Sequence, residues 1–401
     1  MSTSVAPPAS NQHIALTALP PLALYVHIPW CVRKCPYCDF NSHESRAALP
    51  QDRYVDALIA DLESALPDVW GRRVQSVFFG GGTPSLFSVQ TIDRLLSALR
   101  ARLALNDAEI TLEANPGTVE TEKFRGFRDA GINRLSIGIQ SFNDRHLRAL
   151  GRIHDAREAL AAIEIAKATF DNINLDVMYA LPEQTPDEAR RDVETALAAD
   201  VSHLSFYHLT LEPNTIFHKY PPPLPDDDSA AMIHDMVGSA LVGAGYRHYE
   251  TSAYARTGYE CRHNVNYWRF GDYLGIGAGA HAKISFADRI VREQRVRAPA
   301  DYLRRVSDTS HVAERRILAQ AELPFEFMLN TLRLTEGFDV SLFAERTGLP
   351  ISVIDTPLAD AERRGLLVRD HLRIAPTEHG RRFLNDLQML FLSEKRARQP
   401  V

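Results

Sequence analysis

The sequence predicts an α/β chain: an open, curved (β/α)6 partial barrel followed by a small winged-helix-like domain. Three observations predict it. Short β-rich runs alternate with longer amphipathic stretches from about residue 22 to 210, polar residues gather where those runs end, and the order of elements changes after about residue 314. The β-like runs are Leu24–His27, Ser76–Phe79, Glu109–Glu113, Arg134–Gln140, Asn174–Met178 and Leu204–Leu209. Helical patterns lie between them over Asp52–Leu66, Val89–Leu103, Glu120–Ala130, Ala156–Thr169 and Asp187–Ala199, with Gly131 and Pro186 where a stop and a start are expected. Strands alternating with helices call for a parallel sheet. Six such units are too few for a closed eight-fold barrel.

Thr83, Glu113, Gln140 and Asp176 fall at or near the C-terminal ends of predicted strands. In parallel α/β architectures ligands bind at that rim, because its loops vary while the strands stay rigid. Any one of these residues could be a cap or a turn former. Four on one rim point to a site.

The flanking regions divide the chain. Residues 1–21 read as a flexible leader, 22–301 as the core with accessory strands, and 310–401 as the C-terminal domain. Pro221–Pro225 with Asp226–Asp228 reads as a linker ending in a helix N-cap. Phe338–Arg346, Ile354–Arg364 and Gly365–Ile374 read as helix, helix and hairpin, the hairpin resting on the alternation of Leu366–Ile374.

Composition narrows the class. The chain of 401 residues is 45% hydrophobic and 24% charged, ordinary for a globular protein. Its net charge of -6 argues against a nucleic-acid-coating role. No run approaches the roughly 18–20 apolar residues needed to cross a bilayer, and the leader has neither the basic nor the apolar region of a signal peptide. A cytoplasmic location is expected.

Of four cysteines, three share the segment Tyr25-Val-His-Ile-Pro-Trp-Cys31-Val-Arg-Lys-Cys35-Pro-Tyr-Cys38. Cytosolic thiols stay reduced, so such a group suggests metal or redox chemistry before disulfides. Iron–sulfur clusters take soft thiolates, and a short irregular loop can wrap a compact core. With three thiols in the loop, either Cys261 fills a fourth corner or one iron stays open. A zinc site would normally show a second Cys/His pair at ligand spacing, and none is evident nearby; three buried structural cysteines are the other alternative. The Gly80-Gly81-Gly82-Thr83 turn after the second predicted strand would let backbone N–H groups approach a ligand closely.

C-x3-C-x2-C with an aromatic before the last cysteine resembles the cluster loop of the radical S-adenosylmethionine (SAM) superfamily, and the glycine turn resembles its SAM-binding segment. The resemblance implies a [4Fe–4S] cluster on Cys31, Cys35 and Cys38, SAM on the open iron, and an external electron donor. Over nearly the whole chain the sequence is similar to oxygen-independent coproporphyrinogen III oxidases and their relatives, on Tyr25–Cys38, Gly80–Ser85, Leu112–Pro116, Ser136–Phe142, Leu150–Arg152 and Asn174–Pro182. That match implies SAM contacts from Tyr25, Tyr37, Gly81, Gly82, Thr83, Glu113, Gln140, Arg152 and Asp176. Carboxylates would accept from ribose hydroxyls or the amino group, Arg152 would pair with the SAM carboxylate, and the aromatics would pack on adenine.

Two departures set the chain apart from the oxidases. Phe40 stands where they carry a further cysteine, and the leader is shorter. In both it resembles the HemW subgroup of haem-binding chaperones, as does His263-Asn264-Val265-Asn266-Tyr267-Trp268, which matches that subgroup's HNxxYW motif. The resemblance implies haem as cargo, haem-acceptor proteins as partners, and His263 as a haem-binding candidate. A neutral imidazole is a common axial ligand. The alternatives are a hydrogen-bonded structural His263 with core aromatics, or Cys261 as the ligand. The C-terminal helix Ile354–Arg364 mixes Asp355, Asp360 and Glu362 with Arg363 and Arg364, a poor phosphate-facing surface. It suits a lid or a partner-docking element better. Lys395, Arg396 and Arg398 allow at most peripheral contact with anionic lipid. The leading expectation is therefore a haem chaperone, with oxidative decarboxylation of coproporphyrinogen III as the alternative and radical chemistry on another substrate as a third reading.

Overall fold

Six parallel strands carry the core: β1 (Leu22–Ile28), β2 (Val74–Gly81), β3 (Glu109–Ala114), β4 (Arg134–Gln140), β5 (Ile173–Tyr179) and β6 (His203–His208). The computed structural model describes residues 14–45, 48–118 and 121–392. Alternate strand residues separate by chemistry, as a period of two requires. Leu24, Val77, Phe79, Leu112, Leu135, Leu175, Val177 and Leu204 join one apolar cluster, with Leu58, Leu62, Leu95, Phe127 and Ile163 from the helices. The other set, including Ser136, Asn174, Asp176, His203 and Ser205, hydrogen-bonds to one another inside the barrel.

Each predicted helix is present: Gln51–Val69, Val89–Arg100, Thr121–Ala130, Ala156–Lys167 and Pro186–Ala198. Their starts follow local chemistry. Asp155 and Thr185 each form a reciprocal capping box with a glutamate three residues on, and Pro186 occupies the first helical turn, where its missing N–H costs nothing. Asp226 caps the helix Asp227–Gly243 as its sequence predicts.

The six strands form the middle of a twelve-stranded sheet. Beyond β6 lie β7 (Arg247–Glu250) and β8 (Ala253–Ala255), with β8 next to β6. Beyond β1 lies β9 (Asp272–Ile276), parallel to it, then the antiparallel strands β10 (His281–Ser285), β11 (Ile290–Arg295) and β12 (Val312–Ile317). The sheet ends on β7 and β12, so the barrel is partial and open.

The C-terminal domain has its own core around Phe327, Phe338, Phe343, Leu358 and Leu387. Helices Val340–Thr347 and Asp355–Arg363 precede a hairpin of Leu367–Arg369 with Arg373–Pro376, and Phe338–Asp339 adds a third strand, giving the winged-helix arrangement. Arg363 and Arg364 both pair with Asp360, which spends their charge within the helix. The leader expected to be flexible over residues 1–21 is docked along its last part. Ile14 and Leu16 are buried in the C-terminal core and the Leu16 N–H donates to the Ala287 carbonyl (2.9 Å), because two apolar residues find a hydrophobic seat there. Residues 1–13 and the basic Lys395, Arg396 and Arg398 lie outside the described residues. Among the described residues, no helix is long and apolar enough to cross a membrane.

Candidate cofactor site

The cysteine loop leaves the C-terminal end of β1. A two-residue parallel ladder, Trp30–Cys31 against His43–Glu44, closes it. A tight turn brings the Cys38 N–H to the Cys35 carbonyl (3.2 Å), and the Cys38 Sγ lies 3.5 Å from the Ser42 Oγ. All three thiols are free and half-buried. Burial pushes the Cys31 and Cys38 thiols up, opposed in part by Thr83 at Cys31 and by Ser42 at Cys38.

Gly81 and Gly82 pass directly beneath this loop. A Cβ on Gly81, whose φ is +113°, would sit 2.4 Å from the His27 ring, and one on Gly82 would sit 2.4 Å from the Trp30 carbonyl oxygen. Glycine is needed for that close approach. The His27 ring below is neutral: burial pulls its pKa down to about 4. Its Nε2–H donates to the Asn41 carbonyl (2.9 Å) and its Nδ1 accepts from the Tyr25 hydroxyl (3.1 Å).

Loops and strand ends add the remaining groups. The Glu113 carboxylate accepts from the Gly81 N–H (3.2 Å). Burial, reinforced by the Asp176 carboxylate, pushes its pKa up to about 8. Burial also raises Asp176, against hydrogen bonds donated by Ser136 (2.9 Å) and Asn174 (2.9 Å). Gln140 ends β4 with φ +68°, a strained backbone at an irregularity in the β4–β5 register. Arg152 reaches in from the turn after helix Asp144–Ala149. It donates to the Gly138 carbonyl (2.7 Å), to Asn115 and to the Cys35 Sγ (3.7 Å), while its Nε is buried without a hydrogen-bond partner.

One cavity of about 320 Å³ is lined by Cys31, Cys35, Cys38, Tyr37, Gly81, Gly82, Thr83, Glu113, Gln140, Arg152 and Asp176. That is every expected cluster and SAM residue except Tyr25. Tyr25 supports the wall from behind, its ring stacked on Phe78 at 6.3 Å. Among the lining residues that sequence reasoning missed are Asn115, Gly138 and Tyr207. Asn115 donates to the Thr83 Oγ1 (2.7 Å), Gly138 has no room for a Cβ beside Gln140 and Asn115, and Tyr207 stands half exposed at the rim. Asn115 and Gly138 sit within two residues of Glu113 and Gln140, inside the matched stretches Leu112–Pro116 and Ser136–Phe142, and those were the signals that could have marked them.

His263 and Cys261 lie at the opposite end of the barrel. The helix Arg262–Trp268 closes its floor. There the His263 N–H and the Cys261 thiol both approach Glu109, the first residue of β3 (3.3 and 3.7 Å), and the His263 Nδ1 is 3.1 Å from the Ser76 Oγ. Glu109 and Glu113 are four residues apart on one strand, so floor and cavity are separated by about 13 Å. His263 packs against Phe78 and Tyr267, and burial, with the nearby Arg134, pulls its pKa down to about 3. Burial pushes the Cys261 thiol up to about 12. The geometry is that of a hydrogen-bonded core histidine. It also removes Cys261 as the fourth ligand of anything held by the cysteine loop.

The residues fit the implied cluster and SAM. Among the described residues, no three His, Cys, Asp or Glu side chains converge as ligands of a single metal ion. The three thiols instead share one cavity wall, and a polynuclear core that takes one thiolate per iron suits that spread. Arg152 and a carboxylate pair lining the same space suit a ligand carrying both a carboxylate and positive charge.

The pH dependence of the ligand-free protein checks the Glu113 environment. With its folded pKa raised from 4.5 to about 8, the folded state binds the extra proton, so stability falls as pH rises from about 4.5 to 8. Glu113→Gln should flatten that slope, which amounts to a few kcal/mol over the range at 1.36 kcal/mol per pKa unit. Urea unfolding at several pH values reads it.

Comparisons with known proteins show the family and the fold. The model of the radical SAM superfamily matches residues 25–196, and that of the HemN C-terminal domain matches residues 318–383. Heme chaperone HemW of Escherichia coli (strain K12) is 48% identical over 384 residues, covering 94% of this chain and all (100%) of that protein. The chain belongs to the HemW family. HemW of Bacillus subtilis (strain 168) is 32% identical over 382 residues, covering 92% of this chain and 99% of that one. A Bos taurus relative, the mitochondrial radical S-adenosyl methionine domain-containing protein 1, is 35% identical over 386 residues, covering 92% and 87%. The structure of E. coli coproporphyrinogen III oxidase (HemN), described as a radical SAM enzyme, superimposes with a TM-score of 0.79 at 26% identity, over 93% of this chain and 90% of that one. The radical SAM region of this HemW-family chain thus runs from β1 through the helix Pro186–Ala198, and it contains every residue lining the cavity that was expected to bind the cluster or SAM.

Proposed function

We propose that this HemW-family chain is a haem chaperone in the reducing cytosol: it binds a [4Fe–4S] cluster, SAM and haem, and hands haem to acceptor proteins. The observation that carries the cofactor part is the meeting of three thiols, Arg152 and the Glu113–Asp176 pair in one cavity. Near full-length similarity to proteins named as HemW haem chaperones carries the cargo.

Cys31, Cys35 and Cys38 would hold the cluster, which when bound supplies the electron for reductive cleavage of SAM. The chain's own residues do the positioning. Arg152 presents a guanidinium fork to the SAM carboxylate, and Glu113 and Asp176 accept from ammonium or ribose hydroxyl groups. Positive charge arriving between two carboxylates of raised pKa lowers both, so Glu113 gives up its proton as the ligand binds. Gly81 and Gly82 keep side chains out of the way.

Anaerobic titration of the cluster-loaded protein with haem tests the cargo, and saturable absorbance changes are expected. His263→Ala is expected to bind nearly as tightly as wild type, because His263 is shut inside the barrel floor. A sharp loss in that variant would mean the floor helix opens to admit haem to the HNxxYW motif. Absence of saturable binding in wild type would overturn the chaperone reading. So would many turnovers of coproporphyrinogen III to protoporphyrinogen in the presence of SAM and reductant, which would make the chain an oxidase.

A further inference from the structure

A second cavity, of about 480 Å³, lies beneath the barrel floor, between the core and the C-terminal domain. Tyr249, Val265 and Asn266 bound it on the barrel side, and Leu334 and Gly337 on the other. Its charge is one-sided. Arg247, Arg262, Arg269, Arg346 and Arg373 line it against Glu260 and Glu336.

Two of the five arginines are already engaged with carboxylates. Arg247 pairs with Glu260, and Arg373 lies 3.8 Å from Asp339. Among the described residues, Arg262 donates to the Asp107 backbone carbonyl (2.9 Å) and has no ion-pair partner. Arg269 and Arg346 have no ion-pair partner among the described residues, and the Arg346 Nε is buried without a hydrogen bond. Burial pulls the Arg346 pKa below its usual value against the attraction of Glu345 and Asp272, and Arg269 adds like charge. Arg262 and Arg269 are solvent-exposed, whereas Arg346 is partly buried, so an anion entering the cavity would offset the cost of its unpaired charge. The guanidinium is a planar fork matched to carboxylate and phosphate oxygens, and the cavity falls within the size range of small-molecule sites.

We infer that this cavity binds a small molecule bearing at least two oxyanion groups, carboxylates or phosphates, through Arg262, Arg269 and Arg346. Its lining includes the outer face of the helix whose inner face carries His263, and it is remote from the cysteine loop. The dicarboxylate source would be the propionates of a porphyrin, an assignment that rests on the haem reading; the other source would be a phosphate compound.

Calorimetric titration of the full-length, cluster-loaded protein with inorganic pyrophosphate tests the site, with haem titrated in parallel. Saturable pyrophosphate binding is expected. Arg269→Ala and Arg346→Ala should each weaken it at least tenfold, about 1.4 kcal/mol, while Arg94→Ala on the far surface should not. Arg269 is exposed, so its variant keeps the test valid if Arg346→Ala fails to fold. If pyrophosphate also displaces haem, and Arg269→Ala weakens haem, the inference holds with a porphyrin as the source. If pyrophosphate responds to the arginines and haem does not, it holds with a phosphate compound. If neither probe responds to the arginine changes, the inference is overturned, and saturable haem binding would then leave the chaperone reading standing.

Discussion

Replacing Cys31, Cys35 or Cys38 with alanine is expected to leave the reconstituted protein with little of the iron and sulfide that wild type retains. The three thiols sit on one loop whose ends are tied by the Trp30–Cys31 ladder and whose middle is fixed by the Cys35–Cys38 turn. No neighbouring thiol can substitute, because Cys261 is at the barrel floor against Glu109. Loss of one thiolate therefore removes a third of the protein's hold on the cluster, and clusters are held by their thiolates. Cys261→Ala should retain full iron content. Iron and sulfide assays on the four variants check both statements, and unchanged content in Cys31→Ala would refute the three-cysteine assignment.

The second large effect lies away from the site. Asp61, on the helix Gln51–Val69, is fully buried and accepts from the Arg295 Nε (3.0 Å), the His311 Nε2 (3.0 Å), the Tyr302 hydroxyl (2.9 Å) and the Gly277 N–H (3.0 Å). Burial opposes its charge, but Arg295 and His311 outweigh that and hold its pKa below the usual value. Asp61→Ala would strand the buried Arg295 with only Glu293 as partner. Removing one member of a buried ion pair costs about 3–5 kcal/mol, and thermal or urea unfolding should show a loss of that size. Since the folded pKa is depressed, the contribution is present at neutral pH and is lost as pH falls through the acid range below 3.8. A change below about 1 kcal/mol would place Asp61 among ordinary surface pairs.

The barrel strands were legible because burial on one face and polar function on the other repeat every second residue. Asn174, Asp176 and their neighbours Leu175 and Val177 show both halves of that pattern. Helix starts were legible at Pro186 and at the Asp226 cap, whose bond reaches only three residues ahead. The docking of Ile14 and Leu16 was not legible, because two apolar residues in a polar leader resemble chance until a seat for them exists.

By itself the sequence determined the cysteine loop, the glycine turn beneath it and the rim carboxylates, because each depends on spacing within one loop or on one strand's period. Only the tertiary structure decided where His263 and Cys261 go, what neutralises Asp61, and which arginines share a cavity. His263 meets Ser76 across 187 positions, and Asp61 meets Arg295 across 234. Such contacts depend on how strands and helices stack, and an isolated His, Asp or Arg has the same side chain whether it ends in a core, an ion pair or a binding site.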